Sequence, residues 1–128
     1  MVFKPANTDE LKKAVNIYTD DKELGIKTFG EINTWDVINI EDMSNLFFVK
    51  KDFNEDISSW DTSNVNNMDS MFSGAESFNQ PLNSWNTSKV KYMEHMFAKG
   101  IYFCQDLSLW DSSNLINVPQ PIPVKFLL

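Results

Sequence analysis

All four tryptophans of this chain are spaced 25 residues apart, at positions 35, 60, 85 and 110. Other apolar columns keep the same step. They include Ile32, Ile57, Leu82 and Leu107; Phe47, Phe72 and Phe97; and Met43, Met68 and Met93. A fixed period of about 20 to 50 residues is typical of repeat proteins, in which one unit cannot bury its apolar face alone. The spacing therefore predicts four stacked units. Side chains at equivalent positions of successive units should stack on one another and form ladders of Trp, Phe and Met in the interior.

Composition excludes several classes of protein. The 128 residues, 42% of them hydrophobic, are enough for one domain with a core. A net charge of −7, with eleven lysines and no arginine, argues against nucleic acid as a partner. A single cysteine excludes an internal disulfide. We expect no signal peptide, lipoprotein leader or membrane span, and hence a location inside a cell or within a virion rather than at a cell surface.

Residues 1–28 are predicted to form an N-terminal helical cap over the open end of the repeats. The stretch TDELKKAVNIY has Thr8 as an expected N-cap, followed by two acidic residues in the first turn. One face of this helix is apolar, through Leu11, Ala14, Val15 and Tyr18.

Residues 29–118 are predicted to contain the four repeats, each with one strand and one helix. The strands are centred on Ile57, Leu82 and Leu107. The helix follows in DTSNVNNMDSMFSGA, where a capping residue at 61–63 precedes apolar residues at helical spacing and Gly74 acts as the stop. The predicted fold is a short leucine-rich-repeat-like β/α solenoid. Because strands lie about 4.8 Å apart and helices about 8–10 Å apart, we expect it to be concave on the strand side.

Residues 119–128 form an apolar, proline-rich C-terminal tail. Pro119, Pro121 and Pro123 stand where a fourth helix would be, and proline inside a helix costs about 3 kcal/mol. We expect an extended C-terminal cap, in contact with its own last repeat or with a neighbouring chain. The apolar residues that would make this contact are Ile122, Val124, Phe126, Leu127 and Leu128.

The run FNEDISSWDTSNVNNMDSMFSGAESFNQPLNSWNTSKVKYMEHMF resembles the BspA-type leucine-rich-repeat family with 25-residue repeats, known also from lipoprotein-like surface proteins of mycoplasmas. The preceding segment, DELKKAVNIYTDDKELGIKTFGEINTWDV, resembles the leader of such repeats in proteins of protists, algae and large DNA viruses. The resemblance implies a β/α solenoid used for surface display, adhesion or protein binding, with no catalytic residues to carry over.

The residues with reactive side chains do not form a catalytic or cofactor site. His95 is expected on the surface without the nucleophile and orienting acid that catalysis requires. Cys104 replaces the Asn of Asn54 and Asn79, and is interpreted as a small buried residue rather than a reactive thiol. The column Asp36, Asp61, Asn86 and Asp111 could suggest stacked calcium sites, but Asp or Asn before a helix is the expected capping residue. We therefore predict no enzyme, no cofactor and no metal.

Function is predicted to depend on surface contacts with a protein partner or with neighbouring subunits. The leading hypothesis is a non-catalytic protein–protein interaction or structural repeat module that binds through its concave strand face, its ends or both. The alternative is an architectural subunit of a large viral or cellular assembly, for example a minor capsid component. The residues expected on the concave face flank the predicted strand centres: Glu31, Asn33, Asp56, Ser58, Pro81, Asn83, Asp106 and Ser108.

Overall fold

The computed structural model describes residues 1–116, and helices lie only in the N-terminal part of this range. Helix α1 spans Thr8–Asp20, helix α2 spans Lys22–Phe29, and a short 3-10 helix spans Ile32–Thr34. The predicted amphipathic helix is confirmed, because its four apolar residues are buried in α1. The predicted N-cap is wrong by one residue: the cap is Asn7, whose Oδ1 accepts a hydrogen bond from the Glu10 N–H (2.9 Å). Thr8 instead donates through Oγ1 to the carbonyl of Asp42 (2.7 Å).

The two helices lie in close contact at Gly25. A Cβ atom at this position would stand 2.6 Å from the Cα of Tyr18 in α1. Only glycine allows the two backbones to approach this closely. The helical pair is thereby fixed as one unit against the first repeat.

The predicted leucine-rich-repeat-like β/α solenoid is wrong. Within residues 1–116 there is no β-strand, and no helix lies beyond the 3-10 helix at Ile32–Thr34. Strand-like pairing is limited, over this range, to isolated parallel bridges between Asp42 and Asn67 and between Asn67 and Tyr92. The strands predicted at Ile57, Leu82 and Leu107 are absent, although these side chains are buried. With neither strands nor repeat helices, the reason for expecting a concave strand face no longer applies.

Each repeat instead forms a layer of irregular chain that stacks on the next layer. We call residues 29–52 layer 1, 53–77 layer 2, 78–102 layer 3, and the described residues from 103 onwards layer 4. Within layers the chain runs through successive turns. In layer 2, the N–H groups of Met71 and Ser73 donate to the carbonyls three residues earlier, Met68 and Ser70 (both 3.2 Å).

The helical pattern fails because every second N–H group in this stretch bonds to the next layer. Ser70 N–H donates to Glu94 O (2.9 Å) and Phe72 N–H to Met96 O (2.9 Å). An α-helix would direct all of these donors to carbonyls four residues earlier in the same segment. Pairing between layers satisfies the same donors and leaves the apolar side chains buried. The pattern therefore predicted burial correctly and secondary structure incorrectly.

Left-handed backbone recurs at two positions in each of layers 1–3 and interrupts any helix. One column is Asn45, Ser70 and His95, with φ of 59°, 55° and 58°. The other is Val49, Gly74 and Lys99, with φ of 57°, 75° and 60°. Right-handed helices exclude such values. Gly74, predicted as a helix stop, is instead a left-handed residue between layers, and its N–H donates to Ala98 O (2.8 Å).

The predicted aromatic ladders are confirmed. Trp60 stacks between Trp35 and Trp85, with ring centroids 6.3 and 6.4 Å apart. The Phe columns stack in the same way, and Phe72 lies 5.4 Å from Phe47 in layer 1. The methionines of the predicted column are buried in layers 1–3: Met43, Met68, Met71, Met93 and Met96. Burial of one large apolar side chain contributes about 1.5–3 kcal/mol, so the ladders hold the layers together.

Candidate functional site

A groove of about 610 Å³ crosses all four layers on one side of the stack. We call it the Asn/Lys groove. It is lined by Ile38, Asn39, Glu41, Asn64, Asn66, Lys89, Lys91 and Asn114. These residues flank a buried column of Ile40, Val65 and Val90. Because the layers repeat, the same two surface positions line the groove in layers 1–3, and Asn114 lines it in layer 4.

Side-chain amides in the groove connect one layer to the next. Asn64 Nδ2 donates to Ile38 O (2.8 Å), and Asn114 Nδ2 donates to Ser88 O (2.6 Å). The ammonium group of Lys89 donates to Asn64 Oδ1 (3.0 Å). The lining is therefore held in place by the same contacts that join the layers.

Backbone hydrogen bonds run along the other side of the groove. Asn66 N–H donates to Glu41 O, Lys91 N–H to Asn66 O, and Ile116 N–H to Lys91 O, all at 2.8 Å. This regular chain of bonds sets the spacing between the side chains at 41, 66 and 91. The groove is consequently a preformed feature of the stack, which is typical of binding sites.

Charge is distributed unevenly along the Asn/Lys groove. Glu41 lies in layer 1 and Lys89 and Lys91 lie in layer 3, and all three side chains are exposed. Neutral asparagines lie between the two ends. Among the ion pairs of residues 1–116, none involves these three residues. The groove thus offers an acidic end, a cationic end and a row of amide donors and acceptors between them.

Sequence reasoning missed this site. The residues Asn39, Asn64 and Asn114 recur at the 25-residue step, with Lys89 in the same column. The signal was present, but the contact surface was predicted beside the expected strands, and this column was not selected. Because the actual chain is a series of turns, the two columns on either side of a buried residue both face the groove.

The eight residues predicted on a concave face do not line this groove. Several of them make contacts between or within layers. Asn33 donates through Nδ2 to Asp56 Oδ2 (3.2 Å), and Asn83 Oδ1 accepts from the Leu109 N–H (2.9 Å). The carboxylate of Glu31 accepts from the hydroxyl of Tyr18 (3.3 Å).

The remaining members of that set close local turns or lie on the surface. Asp56 Oδ1 accepts from the Ser58 N–H (2.9 Å), and Asp106 Oδ1 accepts from the Ser108 N–H (2.8 Å). Pro81 is exposed. Their part in partner binding stays a prediction.

A smaller pocket of about 270 Å³ lies where the helices meet layers 1 and 2. In it, Lys22 pairs with Glu55 at 2.9 Å. The hydrogen bond to this carboxylate, with its charge, raises the pKa of Lys22 above the ordinary value. Burial raises the pKa of the Tyr18 hydroxyl. That hydroxyl also accepts a hydrogen bond from the Ile32 N–H (3.3 Å). The Tyr18 side chain in this pocket therefore joins α1 to layer 1.

The Asp and Asn residues before the predicted helices cap turns instead. In the four layers, Oδ1 of Asp36, Asp61, Asn86 and Asp111 accepts from the N–H two residues later, at 3.0 to 3.1 Å in the first three and 2.9 Å in the last. The hydroxyl and N–H of Ser63 lower the pKa of Asp61, and those of Ser113 lower the pKa of Asp111. Side chains of this kind favour turns by replacing a backbone acceptor.

His95 and Cys104 are both on the surface. The His95 side chain is 55% exposed, as predicted, and its Nε2 lies 3.5 Å from Glu94 Oε1. Cys104 is also exposed, so the prediction of a buried residue is wrong. The column of Asn54, Asn79 and Cys104 connects the layers at the surface. Asn79 N–H donates to Asn54 Oδ1 (2.9 Å), and Cys104 N–H donates to Asn79 Oδ1 (3.1 Å).

The described part of the chain contains neither a candidate metal site nor a candidate membrane-spanning helix. Residues 1–116 contain no group of three or more His, Cys, Asp or Glu side chains that could hold a metal ion. No helix in this range is both long and apolar enough to cross a membrane. The predicted tail contacts, Ile122, Val124, Phe126, Leu127 and Leu128, lie outside the described residues.

Comparison with known proteins gives one match. Residues 12–122 match the model of a family described as "Mycoplasma protein of unknown function, DUF285". The match includes α1 from its second turn, α2 and all of the layers. No curated protein and no solved structure matches the chain.

Proposed function

This chain belongs to the DUF285 family, and we propose that it is a non-catalytic protein-binding repeat module whose Asn/Lys groove holds an extended segment of a partner protein. The observation that carries the proposal is the alignment of this groove across four layers, with polar side chains at matched positions. We also propose that the family is related to the BspA-type repeat proteins, through the shared 25-residue unit. Surface display and adhesion are proposed for this chain only on the basis of that relation.

The chemistry of the groove favours an extended peptide. Side-chain amides both donate and accept hydrogen bonds, as the peptide backbone does. Asn39 and Asn66 have no side-chain partner among residues 1–116, so their amides are available to a bound chain. Repetition along the groove supports several weak contacts made by one segment, which together give higher affinity than any single contact.

The charge distribution sets a direction for the bound segment. Lys91 at layer 3 would attract an acidic residue of the partner, and Glu41 at layer 1 would attract a basic residue. Such complementarity mainly determines specificity and the association rate. A protein with net charge −7 would otherwise repel an acidic segment, so the two lysines are the positions at which a substitution is most informative.

A random-peptide display library, followed by calorimetry on the selected peptides, tests the proposal. We expect peptides with acidic residues near one end, and a loss of affinity of about tenfold or more in Lys91→Glu. Lys13→Glu, on the exposed side of α1, is the matched control with the same charge change and should bind normally. Failure to select any peptide, or equal loss in the control, would refute the proposal.

A second candidate function is an architectural subunit of a larger assembly, such as a virion component. The observation that favours it is a set of exposed apolar side chains at the far end of the described stack: Ile101, Tyr102, Leu109 and Ile116. Exposed apolar surface is typical of protein contacts. Light scattering over a concentration series tests this candidate: a growing mass supports it, and a constant monomer mass argues against it.

A further inference from the structure

The column of Glu41, Asn66 and Lys91 runs along one wall of the Asn/Lys groove with a fixed spacing. Each of these residues is bonded directly to the next: Asn66 N–H donates to Glu41 O, and Lys91 N–H donates to Asn66 O, both at 2.8 Å. The isolated bridges one residue further along the chain are parallel. Neighbouring chains in such pairing lie about 4.8 Å apart. The backbones of Glu41 and Lys91, two layers apart, are therefore separated by about 9.6 Å along the groove, twice this spacing.

The contacts of the groove distinguish among the common ways of binding a peptide. Addition of a strand needs free backbone groups, but the carbonyls of Glu41, Asn66 and Lys91 already accept from the layer that follows. An amphipathic helix needs an apolar groove. Here Ile38 is the one apolar residue among the eight that line the groove. The third common mode is recognition of a segment in the polyproline II conformation, which needs neither free backbone groups nor an apolar groove along its whole length.

The repeat of the polyproline II conformation agrees with the spacing of the layers. This conformation has three residues per turn and rises about 3.1 Å per residue, so the same face recurs about every 9.3 Å. That length is close to the two-layer separation of Glu41 and Lys91. In a β-strand the same face recurs every second residue, about every 6.7 Å, which falls between one layer and two. Residues i and i + 3 of a polyproline II segment therefore reach layers 1 and 3 together, and same-face residues of a strand do not.

The side chains along the groove suit the backbone of such a segment. A polyproline II segment has no internal hydrogen bonds, so its carbonyls need donors when they are bound. The side chains of Asn39 and Asn66 have no hydrogen-bond partner among residues 1–116, and each offers Nδ2 as a donor. Lys89 is held by Asn64 Oδ1 at 3.0 Å. Lys91 makes no such contact within the described range, so its ammonium group is available to an acidic side chain.

We propose that the partner segment in the Asn/Lys groove is a proline-rich stretch in the polyproline II conformation, with a basic and an acidic residue three positions apart. This inference rests on the proposed function, because it names the partner of the same groove. The basic residue pairs with Glu41 and the acidic residue with Lys91. Four layers extend over about 14 Å, so about five residues of the segment cross the groove. The groove volume of about 610 Å³ lies within the range of about 300–1,000 Å³ that is typical of ligand sites.

Calorimetry with two synthetic peptides of identical composition and blocked termini tests the spacing of the charges. Pro-Pro-Lys-Pro-Pro-Glu-Pro-Pro carries its two charges three residues apart, and Pro-Pro-Lys-Pro-Glu-Pro-Pro-Pro carries them two residues apart. We expect the first peptide to bind about tenfold more tightly, because only its charges reach Glu41 and Lys91 together. Equal affinity of the two peptides overturns the inference but leaves the proposed function in place, since both peptides are then bound.

A third peptide, Gly-Gly-Lys-Gly-Gly-Glu-Gly-Gly, tests the conformation at the same charge spacing. Proline pre-forms the polyproline II conformation, whereas glycine leaves the chain flexible. We expect the glycine peptide to bind about tenfold more weakly than the first peptide, because it loses more conformational freedom on binding. Binding as tight as that of the proline peptide overturns the assignment of the conformation.

The variant Lys91→Ala tests the pairing in layer 3. It should remove the difference in affinity between the two proline peptides, whereas Lys13→Ala on the exposed side of α1 should preserve it. A preference for charges three residues apart that survives in Lys91→Ala overturns the pairing. If no proline peptide binds while the display library yields peptides of another kind, this inference fails and the proposed function stands. If the library also yields none, both fail.

Discussion

The two sides of each layer are joined to their neighbours by different chemistry. We call residues 43–49, 68–74 and 93–99 the backbone-bonded edge, because N–H groups of the first two segments donate to carbonyls of the layer that follows. We call residues 54–60, 79–85 and 104–110 the side-chain-bonded edge. There, Gln80 Nε2 donates to Asn54 O (3.0 Å) and Ser84 Oγ to Ser58 O (3.0 Å). Trp85 Nε1 donates to Ile57 O (2.9 Å).

This difference explains which positions repeat their residues. Backbone groups are the same in every residue, so the backbone-bonded edge tolerates Asn45, Ser70 and His95 at one position. Side-chain bonds depend on the residue itself, so Asn54 and Asn79 recur. Polar substitutions should therefore be costly on the side-chain-bonded edge and mild on the backbone-bonded edge.

The largest effect should come from Trp85→Ala. Trp85 is 3% exposed and stacks on Trp60. Truncation leaves a cavity and removes the donor to Ile57 O, so we expect a loss of about 3–5 kcal/mol in the free energy of unfolding, measured with urea. Phe48→Ala on the backbone-bonded edge is the control, since this side chain is 50% exposed, and should change the free energy by about 0.5 kcal/mol or less. Equal losses would contradict the comparison.

Gly74→Ala should lower the free energy of unfolding by a smaller amount, about 1–2 kcal/mol. It is the exception to the tolerance of the backbone-bonded edge. Gly74 has φ of 75°, and an added Cβ would lie 3.2 Å from the Cα of Val49. Val49→Asn should change stability in the opposite direction, because a β-branched residue at φ 57° is strained and Asn adopts this backbone more readily. Thermal unfolding of both variants checks the two signs, and a stabilised Gly74→Ala would disprove the argument.

Asn79→Ala should cost about 1 kcal/mol in the free energy of unfolding. Its Oδ1 accepts from the Cys104 N–H (3.1 Å) and from Gln105 Nε2 (2.9 Å), and both bonds are lost. Ser73→Ala is the matched change on the backbone-bonded edge, where the carbonyl that accepts from the Val49 N–H (2.8 Å) is retained. Urea titrations should show a clear shift only for Asn79→Ala; a larger shift for Ser73→Ala would reverse the proposed difference between the edges.

The smallest effect concerns pH. The pKa of Asp61 is lowered from 3.8 by hydrogen bonds from Ser63. Because the folded pKa lies below the unfolded one, Asp61 stabilises the fold above its ordinary pKa, and this contribution is lost as pH falls through the folded value. Asp61→Asn keeps the turn, as Asn86 does in layer 3. Midpoints of thermal unfolding from about pH 6 to about pH 3 should fall less steeply in this variant than in the parent. An unchanged slope would show that Asp61 does not contribute.

Much of the interior could be predicted from the sequence, whereas the secondary structure could not. Spacing alone identified the buried Trp, Phe and Met columns, because burial follows from which side chains are apolar and how they recur. Val65, Met68, Phe72 and Ala75 lie at helical spacing, and all four are buried. Spacing does not reveal whether an N–H group bonds within its own segment or to the next layer. In this chain, alternate N–H groups of residues 43–49 and 68–74 bond to the next layer.

The candidate site was less predictable than the core. The strip from Glu31 to Ser108 was chosen by assuming a strand, so its flanking positions were expected to share one face. The Asn/Lys groove instead depends on turns that bring Asn64 and Asn66 to the two sides of the buried Val65. Chain direction at a turn depends on backbone dihedrals, and the repeat of Asn every 25 residues does not encode these by itself.

By itself, the sequence determined the period of the stack, the side chains of its core, the amphipathic α1 and membership of the DUF285 family. Each of these depends on residue type and spacing, which the sequence contains in full. Only the tertiary structure decided that, in the described range, the repeats have no strand and no helix beyond the 3-10 helix at Ile32–Thr34, and where the groove lies. The physical reason is that a backbone donor is satisfied equally well by its own segment or by a neighbouring layer, and only the packed stack makes the second acceptor available.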